Sequence, residues 1–110
     1  MGAIEFSTTG YGLDSHDAFA NARTAAAWEH GHGGYTGTIA EKTGFVVTTP
    51  VVFPDVVSAK AHANDLLWAR DARVDDKRGP AGAVRFIDND PDPNAPADHQ
   101  AWLFFGNAAY

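Results

Sequence analysis

Cysteine is absent from this sequence. That removes disulfides, thiolate nucleophiles and cysteine-based zinc or iron–sulfur centres together, and it leaves core packing to carry stability. Basic residues are few: eight Lys and Arg stand against fourteen Asp and Glu, for a formal net charge of −6. A body of that sign is opposite to what a phosphate backbone requires, so a broad grip on nucleic acid is disfavoured. No stretch approaches the roughly 18 apolar residues needed to cross a bilayer. Residues 1–9 lack the basic region and apolar run of a secretory leader, so a cytoplasmic protein with no membrane contact is expected. Also missing are a Gly-x-Ser-x-Gly elbow, a His-Glu-x-x-His helix and a Walker loop. No complete catalytic set is legible, and neither catalytic residues nor a cofactor are assigned.

What is present is enough for one core. The chain has 110 residues, 45% of them apolar, with seven Phe, three Trp and three Tyr. That bulk offsets the entropy of ordering a chain this long but does not divide into two ordinary domains, so residues 1–110 are read as a single domain.

Residues 3–7 alternate as a short strand with Ile4 and Phe6 on one face, broken by Gly10 and Gly12 around Tyr11. Asp14 or Ser15 can cap a following helix, rich in alanine, that runs to Glu29 or His30 and stops at Gly31. Residues 36–41 are β-branched and, across the turn Thr43-Gly44, pair as a hairpin with the clearest strand, residues 45–49. A second helix begins near Asp55; Val56, Ala59, Ala63, Leu66, Leu67, Arg70 and Val74 keep a 3.6-residue repeat that ends in the charged turn 75–80. Residues 83–87 and 101–105 make two more strands, the last apolar on both faces. The order predicts an α+β fold, ferredoxin-like β-α-β-β-α-β with an extra C-terminal strand, its two helices on one face of a mostly antiparallel sheet. The other face then needs a cover, with Phe53, Trp102 and Phe105 placed there, and a homodimer across it would supply the burial.

The unusual segment is Glu29-His30-Gly31-His32-Gly33-Gly34-Tyr35. As a metal site, His30 and His32 would supply imidazoles and Glu29, Glu41 or His62 a third ligand. As an anion nest, the backbone amides of residues 31–37, including Gly33 and Gly34, would cradle a phosphate or carboxylate beside His32, Tyr35, Thr36, Thr38 and Lys42. The plainer reading is that His30 complements the helix terminus while the glycines reverse the chain. Residues 88–94, Asp-Asn-Asp-Pro-Asp-Pro-Asn, space carboxylates as a calcium loop begins, but Pro93 and His99 occupy the positions that need Gly and a bidentate acid. Arg70, Arg73, Lys77, Arg78 and Arg85 concentrate positive charge that Asp71, Asp75 and Asp76 partly neutralise. Trp28, Trp68 and Trp102 read as core or interface residues.

The block EHGHGGYTGTIAEK, residues 29–42, resembles segments of short uncharacterised proteins of actinobacterial phages and their hosts. The resemblance implies a small phage-type accessory protein and carries over no activity and no catalytic residue. The function expected is a non-enzymatic binding module, a homodimer engaging a host or defence protein. The alternative is a small-ligand or metal-dependent enzyme centred on the His/Gly loop after the first helix.

Overall fold

The computed structural model describes residues 2–30, 36–91, 93, 94 and 96–110, with the His30 side chain left aside. Strand β1 spans Ala3–Gly12, helix α1 Ser15–His30, β2 Phe45–Phe53, α2 Val56–Trp68, β3 Ala81–Phe86 and β4 Gln100–Ala109, with one 3₁₀ turn at Ile39–Glu41. The class is α+β, with two helices and a four-stranded mixed sheet in the order β1-β4-β3-β2. β4 runs antiparallel to both neighbours, and β2 pairs parallel to β3.

Alternation along β4 assigns the two faces. Phe104 and Ala108 pack with Phe6, Ala81 and Ala83 under Ala18, Phe19, Ala22 and Ala26 of α1. Leu103 and Phe105 pack with Val84 and Phe86 under Ala59, Ala63 and Leu67 of α2. The helices therefore lie on opposite faces, not on one as expected. The topology requires this: β1 to β2 crosses the sheet from edge to edge, while β2 to β3 steps back. Two crossovers of the same hand that travel in opposite directions must use opposite faces. The face expected to need a dimer partner is covered by α2, with Phe53 and Phe105 beneath it and Trp102 on the α1 side.

The ferredoxin-like order fails at residues 36–41, which form no strand. Side chains there satisfy the backbone locally. The Thr38 hydroxyl caps the 3₁₀ turn by accepting from Ala40 N–H at 3.2 Å, and Glu41 Oε2 accepts from Thr36 N–H at 3.1 Å. Such bonds compete with a ladder. Without a hairpin partner, β2 pairs with β3 through the α2 crossover.

Two boundaries also move, for local reasons. β1 does not break at Gly10: a Cβ there would lie 2.6 Å from Ala18 O, and one at Gly12 2.5 Å from Ala18 N. These glycines let the α1 backbone approach the strand. Helix α2 stops at Trp68, short of Val74. Asp71 N–H donates to Leu66 O at 3.0 Å and Arg70 N–H to Leu67 O at 3.2 Å, with Arg70 at φ 53°. That is a Schellman stop with arginine where glycine is usual, which is why composition hid it.

Candidate functional site

Those of the residues singled out around the first loop that the structure describes do not share one site. His32, Gly33, Gly34 and Tyr35 lie outside the described residues, as does the His30 side chain, so a His30–His32–Glu29 metal site falls there too. Glu29 is on the last turn of α1. Among the described residues no three His, Asp or Glu side chains gather as a metal would need.

Thr36 and Glu41 form a closed knot. The Thr36 hydroxyl donates to Glu41 Oε2 at 2.8 Å and stands 2.8 Å from the Thr38 hydroxyl. Lys42 is fully buried, and its Nζ donates to the carbonyls of Asp76, Lys77 and Gly79 at 3.2, 3.3 and 3.0 Å. An ammonium has three N–H bonds, so all are engaged and none remains for an anion on the loop. Desolvation holds its pKa below the ordinary lysine value, against the opposing charge of Asp76. The Lys42 expected as an anion ligand instead ties the loop after α1 to the turn before β3.

His62 is on α2, on the face of the sheet opposite the 3₁₀ turn, so it does not join Glu41. Its Nε2 shares a hydrogen bond of 2.9 Å with the Thr48 hydroxyl, and its ring packs on Phe53. Burial, with Arg73 adding to it, lowers its pKa. Arg73 holds Asp71 through two bonds of 2.9 Å and donates to Thr48 O at 3.1 Å. The cluster sits where the β2–β3 register shifts between Val47 and Val52, and there Arg73 satisfies the Thr48 carbonyl. The basic stretch is thereby dispersed: Arg73 is paired, and Arg85 points elsewhere.

Sequence reading missed a groove of about 790 Å³ at the opposite end, lined by Tyr11, Arg85, Ile87, Asp88, Pro91 and His99 among others. It lies beyond the carboxyl ends of β1 and β3, where open α/β sheets bind ligands. Among the described residues, Arg85 Nε is buried without a partner. The Tyr11 hydroxyl has a raised pKa, mainly from burial, with Asp88 contributing in the same direction. Asp88 Oδ1 also accepts from Asp90 N–H at 3.0 Å, which caps the turn. Only the fold places Tyr11, from residue 11, beside residues 85–99.

The described surface has a second feature. Trp28 and Trp68 are 87% and 90% exposed, whereas Trp102 is buried. Both helices return antiparallel to β1, β2 and β3, so their C-terminal ends bring the two indoles to one end of the sheet, on opposite faces. No family model, no curated protein and no solved structure matches this chain.

Proposed function

We propose that this chain is a small non-enzymatic interaction module that engages another protein through the end of the sheet carrying Trp28 and Trp68. The carrying observation is the exposure of those two indoles, each almost wholly in water at a helix terminus. Tryptophan is the side chain most enriched among residues that dominate binding energy, and leaving two in water stabilises nothing within the fold. The narrower reading, a phage accessory protein acting on a host or defence factor, rests on the resemblance of residues 29–42 alone. In the test, wild type and a Trp28→Ala/Trp68→Ala variant are immobilised, and any retained partner is purified and titrated. Both proteins should melt alike, with the variant losing at least about tenfold in affinity per hot-spot indole. Equal affinity for the two proteins would remove the Trp surface from the reading.

A second reading, a small-ligand protein, moves from the His/Gly loop to the groove at Arg85. Its support is a guanidinium whose Nε is buried with no partner among the described residues, in a groove lined by Tyr11, Ile87, Pro91 and Pro96 and also by Asp88 and Asp90. Such a fork takes a carboxylate. A thermal-shift series of aromatic carboxylates on wild type and Arg85→Gln tests it; no shift in wild type, or the same shift in both, eliminates it.

A further inference from the structure

Two charges of opposite sign in the groove beyond β1 and β3 have no partner among the described residues. Arg85 sits in β3 between Val52 of β2 and Trp102 of β4, both apolar, so the sheet offers its guanidinium no counter-charge. No described residue bonds to that guanidinium, and its Nε is buried. A buried donor without an acceptor is costly, so an acceptor arriving from outside gains most here. Asp90 lies five residues further on, exposed, and its carboxylate accepts nothing from a described residue. Asp88, between the two, is already engaged: it accepts from the Asp90 N–H and lies against the Tyr11 hydroxyl.

The rest of the groove supplies an apolar wall, formed by Ile87, Pro91 and Pro96 with the Tyr11 side chain. The loop that carries the prolines is tied down. Asn89 Nδ2 donates to Pro54 O at 3.0 Å, His99 N–H donates to Pro96 O at 3.2 Å, and each proline ring fixes its own φ. A site formed in advance binds without the entropy of ordering its loop.

A plain carboxylate satisfies half of this arrangement. It gains Arg85 but enters the field of Asp88 and Asp90, on a chain of net charge −6. The Tyr11 phenol registers that field, since Asp88 adds to the burial that raises its pKa. A ligand that brings its own cation turns the repulsion into attraction.

We infer that the groove takes an amphoteric ligand: a carboxylate held by Arg85, an ammonium held by Asp90, and an apolar linker lying on the Tyr11, Ile87 and proline wall. This rests on the small-ligand reading of the groove and names the class of ligand. A free basic amino acid and a peptide ending in a basic residue share that chemistry, and about 790 Å³ admits either.

Three probes separate the two ends in calorimetric titrations at low salt: benzoate, benzylamine and 4-(aminomethyl)benzoate. The last should bind wild type about fivefold more tightly than benzoate, the size of one exposed ion pair, with benzylamine the weakest. Asp90→Asn, a near-isosteric change at an exposed position, should abolish that preference and leave benzoate binding intact. Arg85→Gln should lose both carboxylates. Free lysine against the peptide Gly-Gly-Lys then distinguishes the two sources. Equal affinity of wild type for benzoate and 4-(aminomethyl)benzoate, or an undiminished preference in Asp90→Asn, overturns the two-ended ligand and leaves the carboxylate reading standing. Binding of 4-(aminomethyl)benzoate unchanged by Arg85→Gln, or silence of all three probes, removes both. Should Arg85→Gln melt well below wild type, Asp90→Asn decides.

Discussion

Replacing Lys42 by methionine keeps most of the stem's volume and deletes the ammonium that three carbonyls share. Two effects oppose each other. Burying an ammonium is costly, so exchanging a whole buried ion set for apolar groups can be neutral or stabilising. Here only the donor is exchanged: the carbonyls of Asp76, Lys77 and Gly79 stay fixed by the turn, where Gly79 N–H also donates to Asp76 O. Bonds to a charged donor contribute about 1.5–3 kcal/mol each, and stranded acceptors carry a further penalty. Allowing for the desolvation the ammonium no longer suffers, Lys42→Met should lose about 3 kcal/mol. Lys42→Ala, which also empties the stem's space, should lose about 4–5 kcal/mol. For a domain of this size about 3 kcal/mol is on the order of 10–15 °C in Tm. Guanidinium titration at pH 7 gives the free energy directly. The pH dependence supplies a second check. Desolvation holds the folded pKa of Lys42 below 10.5, so between those two values the unfolded chain binds more protons and stability rises with pH. Lys42→Met should lack that contribution. A Lys42→Met protein that melts within about 3 °C of wild type would refute the claim that the ammonium holds the turn.

Gly10→Ala should lose about 1–3 kcal/mol, because its Cβ meets the backbone of α1, while Gly44→Ala, whose Cβ meets open space, should stay within about 0.5 kcal/mol; paired thermal melts compare them. Arg70→Gly should stabilise by up to about 1 kcal/mol, since the residue sits at φ 53°, and a lower midpoint in urea would contradict the Schellman assignment. Hydrogen bonds from Arg73 hold the Asp71 pKa at about 2, below its ordinary 3.8. The resulting stabilisation is present above about 3.8 and lost as pH falls through about 2, so acid melts of Asp71→Asn should show a flatter slope in that window.

The sequence by itself determined what is written in short-range physics. Helix α1 was legible from its alanines and its cap, and the start of α2 from Asp55, whose carboxylate accepts Ser58 N–H at 2.7 Å. The two-sided burial of β4 was legible from its unbroken apolar run, and from composition that no helix among the described residues is long and apolar enough to cross a membrane. Tertiary structure alone decided the rest. Whether Thr36 to Glu41 extend or curl depends on a carboxylate returning five residues to meet Thr36, and whether Gly10 breaks a strand or admits a helix depends on where α1 packs. Lys42 read as an anion ligand because a lysine beside glycines is indistinguishable in sequence from one that will meet carbonyls some 35 residues away. The groove joins Tyr11 to residues 85–99, and the exposure of two indoles against the burial of the third follows from where each helix ends over the sheet. Propensity and capping act over a few residues and can be read from order alone; pairing, faces and exposure are settled by contacts between segments far apart in the chain.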